Sequence, residues 1–307
     1  MKLSVVASLY YSEKYIEEFH ARISSVLKAI TGDYEIILVN DGSPDNALQK
    51  ALQLQEKDDQ VIVVDLSRNF GHHKAIMTGL QVSRGDYVFL IDIDLEEDPE
   101  LLDQFWHVYH QSGDVDSVFG AQVKRKGYWV ERVGGMLFYA LFSVISDVDY
   151  PESALTARLM SRRYVDAVLR YQEREVELRG IFALAGFGQK MVWVTKRHKG
   201  STTYTFRKRL RFAIDSITSF SSRPLTYIFW LGCIISVIAF VCLAAILVDK
   251  FFWAGDVEGW ASIMASVWLV GGVIMFSMGI IGIYLSKMFL EIKNRPLTII
   301  RDIYRRK

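Results

Sequence analysis

Two aspartates follow a short apolar segment in the first third of the sequence. The run Tyr87–Ile91 consists of aromatic and aliphatic residues and is followed by Asp92 and Asp94, a pattern typical of a parallel strand buried on both faces. Residues two apart lie on the same side of an extended strand, so the two carboxylates are expected to repel each other. A hard divalent cation, Mg²⁺ or Mn²⁺, would offset that repulsion and still bind phosphate oxygens. The triplet therefore predicts a site for a metal ion and a diphosphate.

The same acidic segment has a simpler interpretation. Asp98, Pro99 and Glu100 have the composition of a helix start, and acidic residues at such a position often serve only to cap the helix. The two interpretations are compatible, with Asp94 at the ion and Asp98 at the cap. The sequence leaves both open.

Two further polar segments carry side chains suited to ligand binding. Residues 40–43 read Asn-Asp-Gly-Ser, a turn sequence in which the Asp41 carboxylate can accept hydrogen bonds from a ribose or a base edge. Residues 69–71 read Asn-Phe-Gly and lead into a helix, whose first amides favour anions. His72 and His73 follow, but adjacent residues point in different directions and no third ligand is near, which disfavours a zinc site.

These polar groups need a scaffold that brings them together, and the order of the elements predicts one. Strand-like runs alternate with amphipathic helical patterns along the first part of the chain. The strands are expected at Leu3–Leu9, Glu35–Val39, Val61–Leu66 and Tyr87–Ile91, and the helices at Glu13–Ile30, Asp45–Glu56 and His72–Ser83. This alternation predicts an α/β fold with a parallel sheet, in which ligands bind beyond the carboxyl ends of the strands.

The second part of the chain has a different composition. The 307 residues carry 36 basic and 35 acidic side chains, a net charge of +1 that disfavours a nucleic-acid-binding protein. Residues 224–285 nevertheless contain only four charged side chains, at positions 249, 250, 256 and 258. As helices rising about 1.5 Å per residue, segments 225–248 and 261–285 would each exceed the ~30 Å hydrocarbon thickness of a bilayer. Two transmembrane helices are expected, and a buried core helix is the alternative.

The charges beside these segments predict their orientation. Residues 206–223 and 286–307 are rich in Lys and Arg, whereas the loop 249–260 is acidic. Because basic flanks stay on the cytoplasmic side, both termini are expected in the cytoplasm of a multi-pass protein of the inner, cytoplasmic membrane. Residues 206–223 mix basic with apolar side chains, as a juxtamembrane amphipathic helix does, and 286–307 are expected to form a basic cytoplasmic tail.

The ordered motifs resemble those of a known family. The chain reads N-D-G-S, N-F-G, D-x-D-L-x-x-x-P-E, R-L-M-S-R-R from Arg158, and a basic G-S-T-x-Y segment from Gly200, ahead of the two apolar segments. This set resembles the family 2 glycosyltransferases that act on polyprenyl phosphate, the group containing dolichol-phosphate mannose synthase and bacterial undecaprenyl-phosphate glucosyl- and aminoarabinosyltransferases.

The resemblance implies a fold, a reaction and an assembly. Residues 1–205 would form a cytoplasmic, Rossmann-like GT-A domain that binds a nucleotide sugar, followed by two transmembrane helices. The activity implied is the inverting transfer of a single sugar from a nucleotide-diphosphate sugar, with a UDP-sugar preferred, to a polyprenyl (undecaprenyl) phosphate at the cytoplasmic membrane face. A divalent cofactor, Mg²⁺ or Mn²⁺, and a homotetramer are implied as well.

The resemblance also assigns roles to individual residues. Donor binding would fall to Ser8, Leu9, Tyr10, Asp41, Asp92 and Ser201. The metal ligands would be Asp92, Asp94 and Glu96. The catalytic roles would fall to Asp94, Arg158 and Arg197. The acceptor phosphate is expected at Arg125 and Arg132.

Several positions depart from the family pattern, among them Asn40, Glu96, Lys199 and Thr203, and two others bear most on the chemistry. Gln122 stands where the family has an arginine, and Thr156 stands where an acidic residue is sometimes assigned as the base. A lipid monophosphate, with a second pKa of about 6, is mostly ionised at pH 7, so a general base is largely unnecessary. The departures motivate one alternative, a non-catalytic membrane scaffold. A processive polysaccharide synthase is a second, disfavoured by the absence of a Q-x-x-R-W motif and by only two apolar segments.

Overall fold

The computed structural model describes residues 1–122, 154–174, 176–195, 223–253 and 259–306. These residues fall into two units. One unit contains a sheet with the helices packed on it and includes the described residues from 295 onward. The other contains two long helices.

The strands and helices alternate along the sheet unit. The strands are β1 (Leu3–Leu9), β2 (Tyr34–Asn40), β3 (Val61–Leu66), β4 (Tyr87–Leu90), β5 (Ser117–Gln122), β6 (Ala154–Ser161), β7 (Gln189–Val194) and β8 (Ile300–Tyr304). The helices are α1 (Ile16–Ile30), α2 (Ala47–Lys57), α3 (His72–Val82), α4 (Leu101–Gln111), α5 (Arg162–Val168), α6 (Leu178–Leu184), α7 (Arg223–Trp253) and α8 (Trp260–Ile292).

The eight strands form one mixed sheet in the order β7-β5-β6-β4-β1-β2-β3-β8. Strand β1 pairs in parallel with both β2 and β4, and β2 pairs in parallel with β3. The chain therefore moves outward from β1 to β3 and then returns to place β4 on the other side of β1. Such a reversal opens a crevice at the carboxyl ends of the strands, where ligands of α/β proteins bind.

The sheet is covered on both faces, as the apolar strands predict. All seven residues of β1 and all seven of β2 are buried. One face packs against α1, α2 and α4, in a core that includes Phe19, Phe89 and Phe105. The other face packs against α3, α5 and α6, in a core that includes Ile76 and Tyr164. Both faces are apolar, and burial of such side chains stabilises the fold by about 25 cal/mol for each Å² removed from water.

Strand β8 covers the far edge of the sheet. It pairs antiparallel with β3, and Arg301 donates to the buried carboxylate of Asp65 at 3.2 Å. The other Asp65 oxygen accepts from Nδ2 of Asn40 at 2.7 Å. The segment 286–307, predicted to be a basic tail, thus continues helix α8 to Ile292 and then adds a strand to the sheet. This strand was not predicted from the sequence. An edge strand pairs on one side only, and the residues of β8 do not form an apolar run like those of the central strands.

The second unit provides the apolar helices. Within the part of the chain that the structure describes, Ser266–Ile292 is long and apolar enough to cross a membrane, and Arg223–Ala239 is a shorter apolar segment. The expected span 261–285 therefore has a counterpart in α8, whereas a membrane span at 225–248 stays a prediction. The predicted juxtamembrane helix 206–223 lies outside the described residues, apart from Arg223 at the start of α7.

Candidate active site

The parallel strands bring the predicted ligand segments to one edge of the sheet. Leu9 at the end of β1 is paired with Asn40 at the end of β2, and Asn40 is paired with Asp65 near the end of β3. The loops that begin at Tyr10, at Asp41 and after Leu66 are therefore neighbours. This register is why motifs far apart in the sequence can share one site.

Asp41 joins two of these loops. Its side chain is 1% exposed, and its two carboxylate oxygens accept hydrogen bonds from the backbone amides of Phe70 at 2.7 Å and Gly71 at 3.0 Å. Burial raises the pKa of Asp41, against the opposing effect of these two amides. Gly42, with φ of +59°, is required because a Cβ there would lie 2.5 Å from the amide nitrogen of Asn69. The N-D-G-S and N-F-G segments thus form one structural unit.

The three residues predicted at the end of β1 differ in exposure. Ser8 is 8% exposed, Leu9 is fully buried in the core, and Tyr10 is 49% exposed. The carbonyl oxygen of Leu9 accepts from the amide of Asp41 at 3.1 Å. Tyr10 thus presents its ring to solvent, whereas the Leu9 side chain is occupied by packing. The role of all three in donor binding stays a prediction.

A chain of polar contacts links Ser8 to the D-x-D segment through His72. Oγ of Ser8 and Nδ1 of His72 share a hydrogen bond of 2.8 Å, and Nε2 of His72 lies 3.3 Å from Oδ1 of Asp92. Partial enclosure works to lower the pKa of His72, but the carboxylates of Asp92, Asp41 and Asp94 outweigh it and raise that pKa. From the sequence, His72 was weighed only as a zinc ligand, and this contact between distant segments was not predicted.

The D-x-D segment is a turn rather than a continued strand. Strand β4 ends at Leu90, so the condition under which Asp92 and Asp94 would share one side of an extended strand is not met. Leu95 has a φ of +59°, and Oδ1 of Asp94 accepts from the amide of Glu96 at 3.0 Å. This turn redirects the chain immediately after the two aspartates.

The structure does not bring the three predicted metal ligands together as one cluster. Among the described residues, no group of three or more His, Cys, Asp or Glu side chains is arranged to hold a metal ion. The set of Asp92, Asp94 and Glu96 is therefore not assembled as a three-ligand cluster, and the metal site stays a prediction. The proposed helix cap also differs, since Glu100 occupies the N-cap position of α4 and the Asp98 carboxylate accepts from Nη2 of Arg22 at 2.7 Å.

Glu97, next to the predicted ligand Glu96, has a role that sequence reasoning missed. It is 1% exposed, and its carboxylate accepts from the backbone amides of Thr156 at 3.2 Å and Ala157 at 2.8 Å. These amides belong to β6, immediately before Arg158. No local pattern separates Glu97 from its acidic neighbours, because only the fold brings β6 beside it.

Arg158 is a buried cation in a polar and aromatic enclosure. It is 4% exposed, and its Nη1 donates to Oε1 of Gln189 at 2.7 Å, to Oγ of Ser117 at 3.1 Å and to the hydroxyl of Tyr164 at 3.3 Å. Burial lowers the pKa of Arg158 to about 10, so the group remains charged at neutral pH.

Among the described residues, the neighbours of this guanidinium include aromatic rings but no paired carboxylate. Its carbon lies 4.6 Å from the ring centre of Phe119 and 4.2 Å from that of Phe182. Among the described residues, no carboxylate forms an ion pair with Arg158, and its Nε has no hydrogen-bond partner. A buried cation of this kind is stabilised by a bound anion.

One cavity brings two of the predicted residues together. A cavity of about 620 Å³ between α3, α6 and the edge of the sheet is lined by Asp92, Arg158, Thr156 and His72, among others. Asp94 is not among its lining residues. Arg125, Arg132, Arg197 and Ser201 lie outside the described residues. An acidic group and a cation with no carboxylate partner among the described residues thus line the same cavity.

The sequence matches a known protein family over the region that contains Asp92 and Arg158. Residues 4–169 match the family model described as glycosyl transferase family 2, a range that contains both Asp92 and Arg158. The chain belongs to glycosyl transferase family 2. The predicted enzyme class, a glycosyltransferase, is therefore confirmed, and the sheet confirms the Rossmann-like α/β fold of GT-A type.

Similar proteins extend the comparison beyond the family 2 domain. A protein of Mycobacterium tuberculosis whose name places it among the glycosyltransferases is 46% identical over 304 residues, covering 99% of this chain and 89% of its own. The SfII prophage-derived bactoprenol glucosyl transferase of Shigella flexneri is 28% identical over 314 residues, covering 99% of each chain.

A solved structure belongs to the same comparison. The glucosyl-3-phosphoglycerate synthase of Mycobacterium tuberculosis, crystallised in complex with Mn²⁺ and UDP-glucose, is 20% identical to this family 2 chain. The match covers 71% of this chain and 78% of that one, with a TM-score of 0.47.

Proposed function

We propose that this family 2 glycosyltransferase transfers one sugar from a nucleotide-diphosphate sugar to a polyprenyl phosphate at the cytoplasmic face of a membrane. The observation that carries the proposal is the buried guanidinium of Arg158, which has no carboxylate partner among the described residues and lines the same cavity as Asp92. A planar guanidinium suits phosphate oxygens. The donor diphosphate and the acceptor phosphate would each offer an anionic partner to this guanidinium.

The identity of the acceptor is supported by the relatives. The bactoprenol glucosyl transferase of Shigella flexneri aligns over nearly the whole chain, including the residues of α7 and α8. Helix α8 contains a segment long and apolar enough to cross a membrane, which would hold the enzyme at the surface where a polyprenyl phosphate lies. A UDP-sugar, with UDP-glucose tested first, is our preferred donor. A multi-pass topology with both termini in the cytoplasm and a homotetramer remain part of the proposal.

The reaction needs no side-chain base. An oxygen of the acceptor phosphate attacks C1 of the sugar, the bond from C1 to the diphosphate oxygen breaks, and the nucleoside diphosphate leaves with the electron pair, so C1 is inverted. Because the acceptor is already ionised near pH 7, with a second pKa of about 6, Thr156 is compatible with catalysis. What the protein must supply is charge stabilisation and alignment of two anions, and Arg158 is suited to both.

A divalent cation fits the carboxylate oxygens of the D-x-D segment. Mg²⁺ is commonly held by one or two carboxylates together with substrate phosphates, so the absence of a three-residue cluster among the described residues is compatible with it. Asp92 and Asp94 are the residues that would hold Mg²⁺ or Mn²⁺. When bound, the ion would neutralise charge on the leaving diphosphate.

A donor and acceptor panel tests the proposal. Purified protein in detergent is incubated with Mg²⁺ or Mn²⁺, radiolabelled UDP- and GDP-sugars, and either polyprenyl phosphate or the matching polyprenol. We expect a lipid product that carries one sugar, formed with the phosphate and not with the alcohol. A polymeric product would identify a processive synthase. No turnover with any donor would favour the non-catalytic scaffold and contradict the proposal.

A further inference from the structure

The pairing of β4 with β6 ends where the D-x-D segment begins. The last paired residues are Leu90 of β4 and Arg158 of β6. Beyond them β4 stops, and the amides of Ala157 and Thr156 donate to the Glu97 carboxylate at 2.8 and 3.2 Å. Glu97 therefore replaces the missing strand as the hydrogen-bond partner of β6.

This contact connects the two sides of the cavity. Glu97 follows Asp92 and Asp94 within one short turn, and the amides that it binds immediately precede Arg158. The contact is buried, since Glu97 is 1% exposed. Hydrogen bonds from amides to a buried carboxylate are short and strong compared with bonds between neutral groups. Movement of the D-x-D turn and movement of the start of β6 are thereby coupled.

We propose that Glu97 is a positioning residue that fixes the D-x-D turn relative to Arg158. The inference rests on the proposed function and deepens it, because the charge-stabilising guanidinium and the carboxylates act on the same donor and acceptor groups. Glu97 itself is buried and does not line the cavity, so it would act through the groups that it positions. Displacement of a substrate-aligning group by about 1 Å can reduce a rate about a hundredfold, so the contact is expected to affect kcat more than KM.

Replacing Glu97 with Gln tests the proposal, with Glu35→Gln as a matched control. Glu35 is also buried, at 3% exposed, and accepts from the backbone amide of Arg84 at 2.6 Å, but it lies near the amino end of β2. Glu97→Gln keeps one acceptor oxygen and turns the carboxamide NH2 group, a donor, toward the second N–H group. We expect kcat to fall about 10- to 100-fold with KM for the sugar nucleotide changed less than about threefold.

A double variant distinguishes positioning from general destabilisation. If Glu97 acts through Arg158, Glu97→Gln combined with Arg158→Lys should be no slower than Arg158→Lys alone. Equal kcat losses in Glu97→Gln and Glu35→Gln, or additive losses in the double variant, would overturn the proposal. If Glu97→Gln does not fold, Glu97→Asp, which keeps the charge on a shorter side chain, should give an intermediate loss of kcat.

Hydrogen exchange provides a readout independent of activity. In full-length protein in detergent, Glu97→Gln should accelerate exchange about tenfold in peptides covering both 92–98 and 154–158. Glu35→Gln should leave both peptides unchanged. Acceleration in 154–158 without any change in 92–98 would overturn the coupling. Failure of the wild-type protein to transfer any sugar would instead contradict the proposed function, and the exchange result would still decide whether Glu97 couples the two segments.

Discussion

Oδ1 of Asp92 lies 3.3 Å from Nε2 of His72, and the other ring nitrogen of His72 shares a 2.8 Å hydrogen bond with Oγ of Ser8. One imidazole therefore connects the end of β1, the start of α3 and the segment after β4. The contact places an imidazole nitrogen beside the Asp92 carboxylate at the cavity where we propose that the donor binds. It also brings partial positive charge to a place where Asp41, Asp92 and Asp94 accumulate negative charge.

Replacing His72 with Gln should weaken catalysis. Glutamine cannot bridge Ser8 and Asp92 in the same way, so Asp92 loses its orientation. Loss of such a supporting contact typically costs about 10- to 100-fold in affinity or activity, and we expect kcat/KM for the sugar nucleotide to fall about tenfold.

His20→Gln is the matched control for that variant. Nε2 of His20 lies 2.8 Å from Asp58, an equivalent pair remote from the cavity. Initial-rate kinetics of both variants decide the prediction. Unchanged kcat/KM in His72→Gln would show that Asp92 is held by other groups.

Arg158→Lys should separate charge from geometry. Lysine keeps the positive charge but lacks the planar guanidinium, whose Nη1 contacts Gln189 and two neighbouring hydroxyls. Removing one charge-stabilising donor typically lowers kcat about 10²- to 10³-fold, and we expect a loss of about 100-fold. Arg163→Lys, at a side chain that is 64% exposed and pairs with Asp116, is the control and should retain wild-type kcat. Single-turnover measurements that give equal rates for Arg158→Lys and wild type would contradict this role.

Asp94→Ala should abolish metal-dependent turnover. In the proposed site Asp94 contributes an oxygen ligand, so its removal weakens binding of the ion that offsets charge on the diphosphate. Activity is measured against Mg²⁺ and Mn²⁺ concentration after removal of metal with EDTA. Asp98→Ala is the control from the same acidic run, since Asp98 contacts Arg22, and it should respond to metal as wild type does. A normal metal response in Asp94→Ala would remove Asp94 from the ligand set.

Asp116 should stabilise the fold in a pH-dependent manner. Hydrogen bonding to Arg163 outweighs burial and, together with Ser161, lowers the pKa of Asp116 below its ordinary value of 3.8. A carboxylate with a lowered folded-state pKa stabilises the fold fully above the ordinary value, and this contribution is lost as the pH falls through the folded-state pKa. Asp116→Asn should therefore reduce the melting temperature at pH 7 and have a smaller effect below pH 3.8. A difference that is constant across this range would contradict the assignment.

The central part of the fold was predictable from the sequence. Strands β1 and β3 have the predicted bounds, Leu3–Leu9 and Val61–Leu66, and the other two predicted strands differ by one residue at their ends. These segments are apolar runs between polar turns, so local composition is sufficient to find them. Asp92 and Arg158 were likewise found from motifs, and the structure places both at one cavity.

The supporting contacts were not predictable by the same means. His72 reaches Ser8 and Asp92 across segments far apart in the sequence, and Glu97 reaches β6 across a separation of 60 residues. Both contacts depend on the order of strands in the sheet, in particular on the placement of β4 between β1 and β6. A residue pattern encodes which face of an element is buried, but not which distant amide or carboxylate will lie beside it.

Strand β8 has a consequence for how the chain is made. Its partner β3 is synthesised early, but β8 follows both long helices in chain order. While the ribosome is still translating α7 and α8, one edge of the nascent sheet therefore has open backbone donors and acceptors. An uncovered edge of this kind can pair with other chains, so the sheet of a newly made molecule is open to such pairing until β8 emerges. Folding of the catalytic domain is complete only after the apolar helices have been translated.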